Sequence, residues 1–91
     1  MQQTSKDTIK LAETVGALFK TLRTEQTGLS LTKLAYQYDL DKGNLSRVEN
    51  GQIECKLVTA IKICQAIGIK FSEFAKLLED ELGEDFNLID E

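Results

Sequence analysis

Residues 30–51 read SLTKLAYQYDLDKGNLSRVENG, and this stretch decides the fold. Ser30 stands where an N-cap is wanted, ahead of a helical run over 31–38, because a short side-chain oxygen can accept from the free amides of a first turn. Asp39 and Leu40 leave only a tight link before Asp41 caps a second short helix, which Asn50 and Gly51 end. Two short helices joined so closely cannot lie side by side, so they cross. Leu34, Ala35 and Tyr38 form one apolar stripe and Leu45 and Val48 another, with Leu40 filling the elbow between them. Ala35 faces the second helix, where a larger side chain would push the two apart. The link residue needs a left-handed or bridge conformation; Gly suits it best, and Asp is among the few others that tolerate it. This is the arithmetic of a helix-turn-helix.

Towards the N-terminus, Ile9, Ala12, Val15, Leu18, Phe19 and Leu22 recur at three- and four-residue steps. That spacing predicts an amphipathic helix over about 8–25, with Gly28 as its stop. Gly16 inside it costs about 1 kcal/mol of helix propensity. It either permits a close backbone approach or is a tolerated surface glycine. Residues 1–7 carry no apolar anchor and read as a flexible end. Towards the C-terminus, 56–67 is the next helix, with Leu57, Ala60, Ile61, Cys64 and Ile67 on its buried face and Gly68 past its end. Ile69 and Phe71 re-enter the core. Ser72 caps a fifth helix whose apolar face is Phe74, Leu77, Leu78 and Leu82, with Glu73 in the first turn where negative charge is favoured. The expected organisation is thus a flexible 1–7, a helical body over 8–82 and an acidic tail over 83–91.

Ninety-one residues with 42% apolar content make one modest core, and the chain lacks Pro, Trp and His. No apolar run approaches the ~18 residues of a membrane span, and the start is polar without a signal-peptide core, so a cytoplasmic chain is expected. Without His, and with Cys55 and Cys64 nine apart, no zinc spacing exists and no cofactor is implied; Cys64 falls on an apolar helical face as a small core residue. Catalysis has no Gly-rich phosphate loop or nucleophile elbow to stand on, and Glu79, Asp80 and Glu81 lie in a solvated run. The formal charge of −4 is unevenly spread. Residues 1–78 hold eleven cations against eight acids, a balance of +3, and the other seven acids crowd into 79–91. A weakly basic body with an acidic tail neither supports nor excludes nucleic acid by its global charge.

The motif also resembles a known family. Ser30, Leu34-Ala35, Leu40-Asp41 and the closing Leu45-Ser46-Arg47-Val48-Glu49-Asn50-Gly51 look like the phage-repressor/Cro-type, or XRE, helix-turn-helix family, and the resemblance covers roughly residues 15–77. The chain departs from that pattern at Leu31, where the family often has Gln, and at Asp39, where the turn residue is usually Gly. Cys55 replaces a frequent Pro, and one extra residue sits between Arg23 and Gly28. The resemblance implies an all-α, five-helix, lambda-repressor-like domain that binds double-stranded DNA as a small regulator of repressor type, working as a homodimer. It also implies that Arg23 pairs with Glu49 and fixes the reading head.

With Leu45 and Val48 as the buried seam, the opposite face of the recognition helix is Gly43, Ser46, Arg47 and Asn50, flanked by Lys42 and Asn44. Base edges in a major groove are read by Arg or Lys on guanine and by Asn or Gln on adenine. Lys42, Asn44, Ser46 and Arg47 are the candidate base readers, and Arg47 is the strongest because of its planar fork. Gly43 offers no group of its own. Ser30, Thr32, Lys33, Asn50, Gln52 and Lys56 are candidates for phosphate. On an anonymous helix the base-reading candidates would be ordinary solvated residues, and the motif reverses that reading; for Lys33 and Lys56 a solvated charge and a phosphate contact stay level. A rival function is an antitoxin-like or anti-repressor protein whose tail, with Phe86, Leu88 and Ile89, occupies a partner protein. The same three residues would equally suit a second copy of the chain.

Overall fold

A computed structural model of the chain describes residues 6–89. It contains five helices: α1 Lys6–Thr27, α2 Leu31–Gln37, α3 Lys42–Glu49, α4 Leu57–Ile67 and α5 Phe71–Leu82. Among the described residues there is no strand, and no helix is long and apolar enough to cross a membrane.

The crossing of α2 and α3 follows from local chemistry. The Ser30 side chain accepts from the Lys33 amide at 3.1 Å, and Asp41 accepts from the Asn44 amide at 2.7 Å, so both caps are made as the sequence implies. At the end of α2 the Leu40 amide donates to the Ala35 carbonyl at 2.8 Å, which closes a Schellman turn through Asp39. Asp39 has φ 55°, alone among the described non-glycine residues in the left-handed region. Leu34, Ala35, Leu45 and Val48 are buried, and Leu40 packs against them. Tyr38 is not part of that seam: it is the C-cap of α2, exposed, with its hydroxyl accepting from Gln37 Nε2 at 3.3 Å. Ala35→Leu should therefore lower stability by about 1–3 kcal/mol through overpacking. Chemical denaturation reads this directly, and an unchanged midpoint would mean that space exists between the two helices.

α1 is the spine on which the rest is laid. Val15, Phe19 and Leu22 are buried, and the Phe19 ring stacks on Phe74 of α5 with centroids 4.2 Å apart. Gly16 meets α3: a Cβ there would lie 2.7 Å from the Glu49 carbonyl oxygen and closer still to that of Val48. The close-approach reading of Gly16 is the one realised. Gly51, with φ 69°, meets α1 in turn, where an added Cβ would fall 2.9 Å from the Glu13 Cα.

Several apolar positions lie elsewhere than their spacing suggests. Leu57 is 63% and Val58 66% exposed, while Ile63 and Ala66 are buried beside Ala60, Cys64 and Ile67. α4 meets α1 and α5, and its buried side is the one that carries Ala60, Ile63, Cys64, Ala66 and Ile67, which leaves Leu57 and Val58 in solvent. Ile9 and Phe71 are also exposed, and α5 begins one residue before Ser72, with Lys70 as N-cap, so Ser72 is not the cap. Cys64 is the small core residue expected, its thiol pushed up to about 11 by burial, with Cys55 adding to the shift.

Both ends differ from the outline drawn from sequence. Lys6 and Asp7 are helical, while residues 1–5 lie outside the described region. The tail touches its own chain where the Asn87 amide donates to Asp7 Oδ2 at 3.0 Å, and just before the tail Lys10 Nζ donates to the carbonyl of Leu82 at the end of α5 at 3.0 Å. Leu88, still exposed, lines one side of a cleft of about 300 Å³ whose other walls include Leu11, Ala12, Val15 and Cys55. Phe86 is half-buried and Ile89 exposed. Phe74 and Leu82 are spent in the core, so neither can serve a contact between copies.

Candidate nucleic-acid interface

The reading surface is the outer side of α3, and its orientation is set from beneath. Leu45 and Val48 anchor the helix in the core, and Glu49 is bound to α1. Arg23 Nε donates to Glu49 Oε2 at 2.8 Å and Nη2 donates to Oε1 at 2.9 Å, a two-pronged geometry that fixes both side chains. The third nitrogen, Nη1, donates to the Leu29 carbonyl at 2.8 Å, tying the α1–α2 connection into the same knot. Arg23 is 8% and Glu49 7% exposed. The hydrogen bond to Glu49 raises the Arg23 guanidinium above its ordinary value, against burial and with help from the carboxylate charge. One ion pair thus joins the first helix, the entry to α2 and the end of α3.

With that side occupied, Lys42, Gly43, Arg47 and Asn50 are exposed, and Asn44 and Ser46 are half-buried at the edges. Asn50 Nδ2 donates to Ser46 Oγ at 3.4 Å, which organises the C-terminal half of this face. The three phosphate candidates at α2 are all exposed, although the Lys33 amide is already satisfied by Ser30. The Ser30 hydroxyl still has its own proton to donate. Gln52 and Lys56 are exposed in the link to α4, and Lys56 is an N-cap whose side chain makes no capping bond. The cations Lys33, Lys42, Arg47 and Lys56 are thereby all presented to solvent, as are the carboxylates Asp39 and Asp41 at the elbow.

Residues 23–80 match the family model of the Cro/C1-type helix-turn-helix DNA-binding domain, which takes in Arg23, the whole motif, α4 and most of α5. The chain belongs to that family. Control protein C.MunI from a Mycoplasma species is 41% identical over 66 residues, covering 72% of this chain and 89% of that protein. The crystal structure of the clp gene regulator ClgR from C. glutamicum superposes with a TM-score of 0.70 at 25% identity, over 80% of this chain and 92% of that one. The Cro/C1-type domain described here is accordingly a DNA-binding transcriptional regulator and not an enzyme.

Two residues that position α3 carry little sequence signal. Gly16 and Gly51 bring the end of α3 against α1, and a glycine in a helix or after one can suggest a close approach, a breaker or a cap without naming the partner. Their contacts, Val48 and Glu49 for one and Glu13 for the other, lie more than thirty positions away in sequence. No local pattern announces such a pairing.

Proposed function

We propose that α3 enters the major groove and reads base edges with Lys42, Asn44, Ser46 and Arg47, while Ser30, Thr32, Lys33, Asn50, Gln52 and Lys56 grip the flanking phosphates. The observation that carries this reading is the division of α3 into a locked inner side, Leu45, Val48 and Glu49, and an outer side rich in exposed cations and amides. The regulator acts in the cytoplasm as a repressor and as a homodimer, because one recognition helix spans too few base pairs, and two heads ~34–36 Å apart read a two-fold operator. A selection of binding sites from random duplexes with the purified chain tests all of this. Enrichment of a palindrome supports both groove reading and the dimer, and enrichment of nothing overturns both. Arg47→Ala should cost about 1–3 kcal/mol of specific affinity, lost mainly at one base pair of each half-site. A loss equal on every sequence would instead make Arg47 a phosphate contact.

The acidic tail we read as a modulator of binding. The Asn87 amide on Asp7 lays it along α1 of its own chain, while Leu88 and Ile89 stay exposed. Deleting 84–91 removes Glu84, Asp85, Asp90 and Glu91 and takes the formal charge from −4 to 0. Non-specific affinity at low salt should rise, with the gain fading as salt screens the phosphates. Sedimentation should find the same mass with and without the tail; a drop to half would assign the tail to the dimer after all.

A further inference from the structure

Gly43 offers no group to DNA, yet it is the residue over which the Arg47 guanidinium lies. A side chain on a helix leans back over the turn before it, so Arg47 runs towards the position four residues earlier. At that position there is no Cβ. The point a Cβ would occupy is 3.3 Å from Arg47 Nη1 and 3.9 Å from Nη2, and 3.4 Å from Asp41 Oδ1 on the other side. Asp41 is held in place as the cap of the Asn44 amide, at 2.7 Å. Among the described residues Arg47 itself makes no ion pair, so its fork stays open to a ligand.

We propose that Gly43 is a specificity-determining residue: its missing side chain is the seat that delivers the Arg47 fork to the N-terminal end of α3. The residues of that end are the ones a recognition helix presents to base edges. The inference rests on the groove reading above and adds where Arg47 reads.

The test is the same random-duplex selection, followed by affinities on the selected site, for the wild-type chain, Gly43→Ala, Gly43→Leu, Arg47→Ala and the double variant Gly43→Leu/Arg47→Ala. A methyl group asks the flexible arginine to shift by only a few tenths of an ångström, so Gly43→Ala should keep the wild-type preference. A leucine fills the seat, and being exposed and helix-favouring it should leave the chain folded with a melting temperature no lower than that of the wild type. Gly43→Leu is then expected to weaken the preference for guanine by roughly tenfold or more at the one column that Arg47→Ala also loses, with the other columns unchanged. The double variant should be no worse than the poorer single one, since both remove one contact.

The inference is overturned if Gly43→Leu keeps its guanine, loses a different column, weakens all sequences alike, or adds its loss to that of Arg47→Ala. It falls by itself if the wild-type chain selects a site that Arg47→Ala leaves unaltered. It falls together with the groove reading only if the wild-type chain selects no sequence.

Discussion

Glu49→Ala should be the most damaging single change in this chain, at about 3–5 kcal/mol, because it leaves the Arg23 charge buried without its partner. A domain of this size has only about 5–15 kcal/mol to lose. The guanidinium keeps one bond, to the Leu29 carbonyl, while Nε and Nη2 lose theirs. Denaturant titration of the variant should show a much earlier midpoint with a similar slope. The control is the pair replaced as a whole, Arg23→Met with Glu49→Leu. Removing both charges avoids the orphaned cation, so this double variant should stand well above Glu49→Ala, short of the wild type by the unsatisfied Leu29 carbonyl. If Glu49→Ala were within ~1 kcal/mol of the wild type, a value usual for exposed pairs, the pair would be behaving as a solvated one and α3 would be held by its apolar seam alone.

Gly16→Ala tests the second attachment of α3, and the sign of its effect is informative. On an open helix surface the change would stabilise by about 1 kcal/mol, since Ala is the better helix former. Here the new methyl group meets backbone, the carbonyls of Val48 and Glu49, which cannot rotate away as a side-chain tip can. Overpacking of about 1–3 kcal/mol or more should therefore prevail. For a domain of 60–100 residues each kcal/mol shifts Tm by roughly 4–8 °C, so a drop of about 5–20 °C is expected. Relief requires α3 to move off α1, which shifts the reading face relative to α2, so DNA affinity should fall even at temperatures where the variant is folded. A raised Tm would show that α1 and α3 do not approach as closely as Gly16 implies.

The tail illustrates how far the chain's chemistry was readable and where it stopped being so. Three large apolar residues within an acidic run signal that the segment packs on something, and composition can go no further. Only the folded chain shows Leu88 across a cleft from Leu11 and Val15, still exposed, and the Asn87 amide on Asp7, eighty positions away. The face of α4 is a similar case. Ala60, Cys64 and Ile67 lie at helical spacing and are buried, but the spacing accommodates Leu57 and Ile61 as readily as Ile63 and Ala66. Which neighbours complete the face depends on what covers each turn.

By itself the sequence determined the helix-turn-helix: Ser30 and Asp41 as caps, Asp39 as the left-handed link, Leu34, Ala35, Leu45 and Val48 as the seam, and Arg47 with Lys42 on the outer face. Each of these rests on neighbours within about four residues, where side-chain oxygens reach amides and apolar groups share a stripe. Its resemblance to the family supplied the Arg23–Glu49 pair, which spacing alone could not. Tertiary structure decided how close α1 comes to α3, which side of α4 is buried, where the tail rests and where the Arg47 fork lies. Those outcomes turn on atoms that are absent, the Cβ at positions 16, 43 and 51, and on surfaces that meet only after the chain has folded.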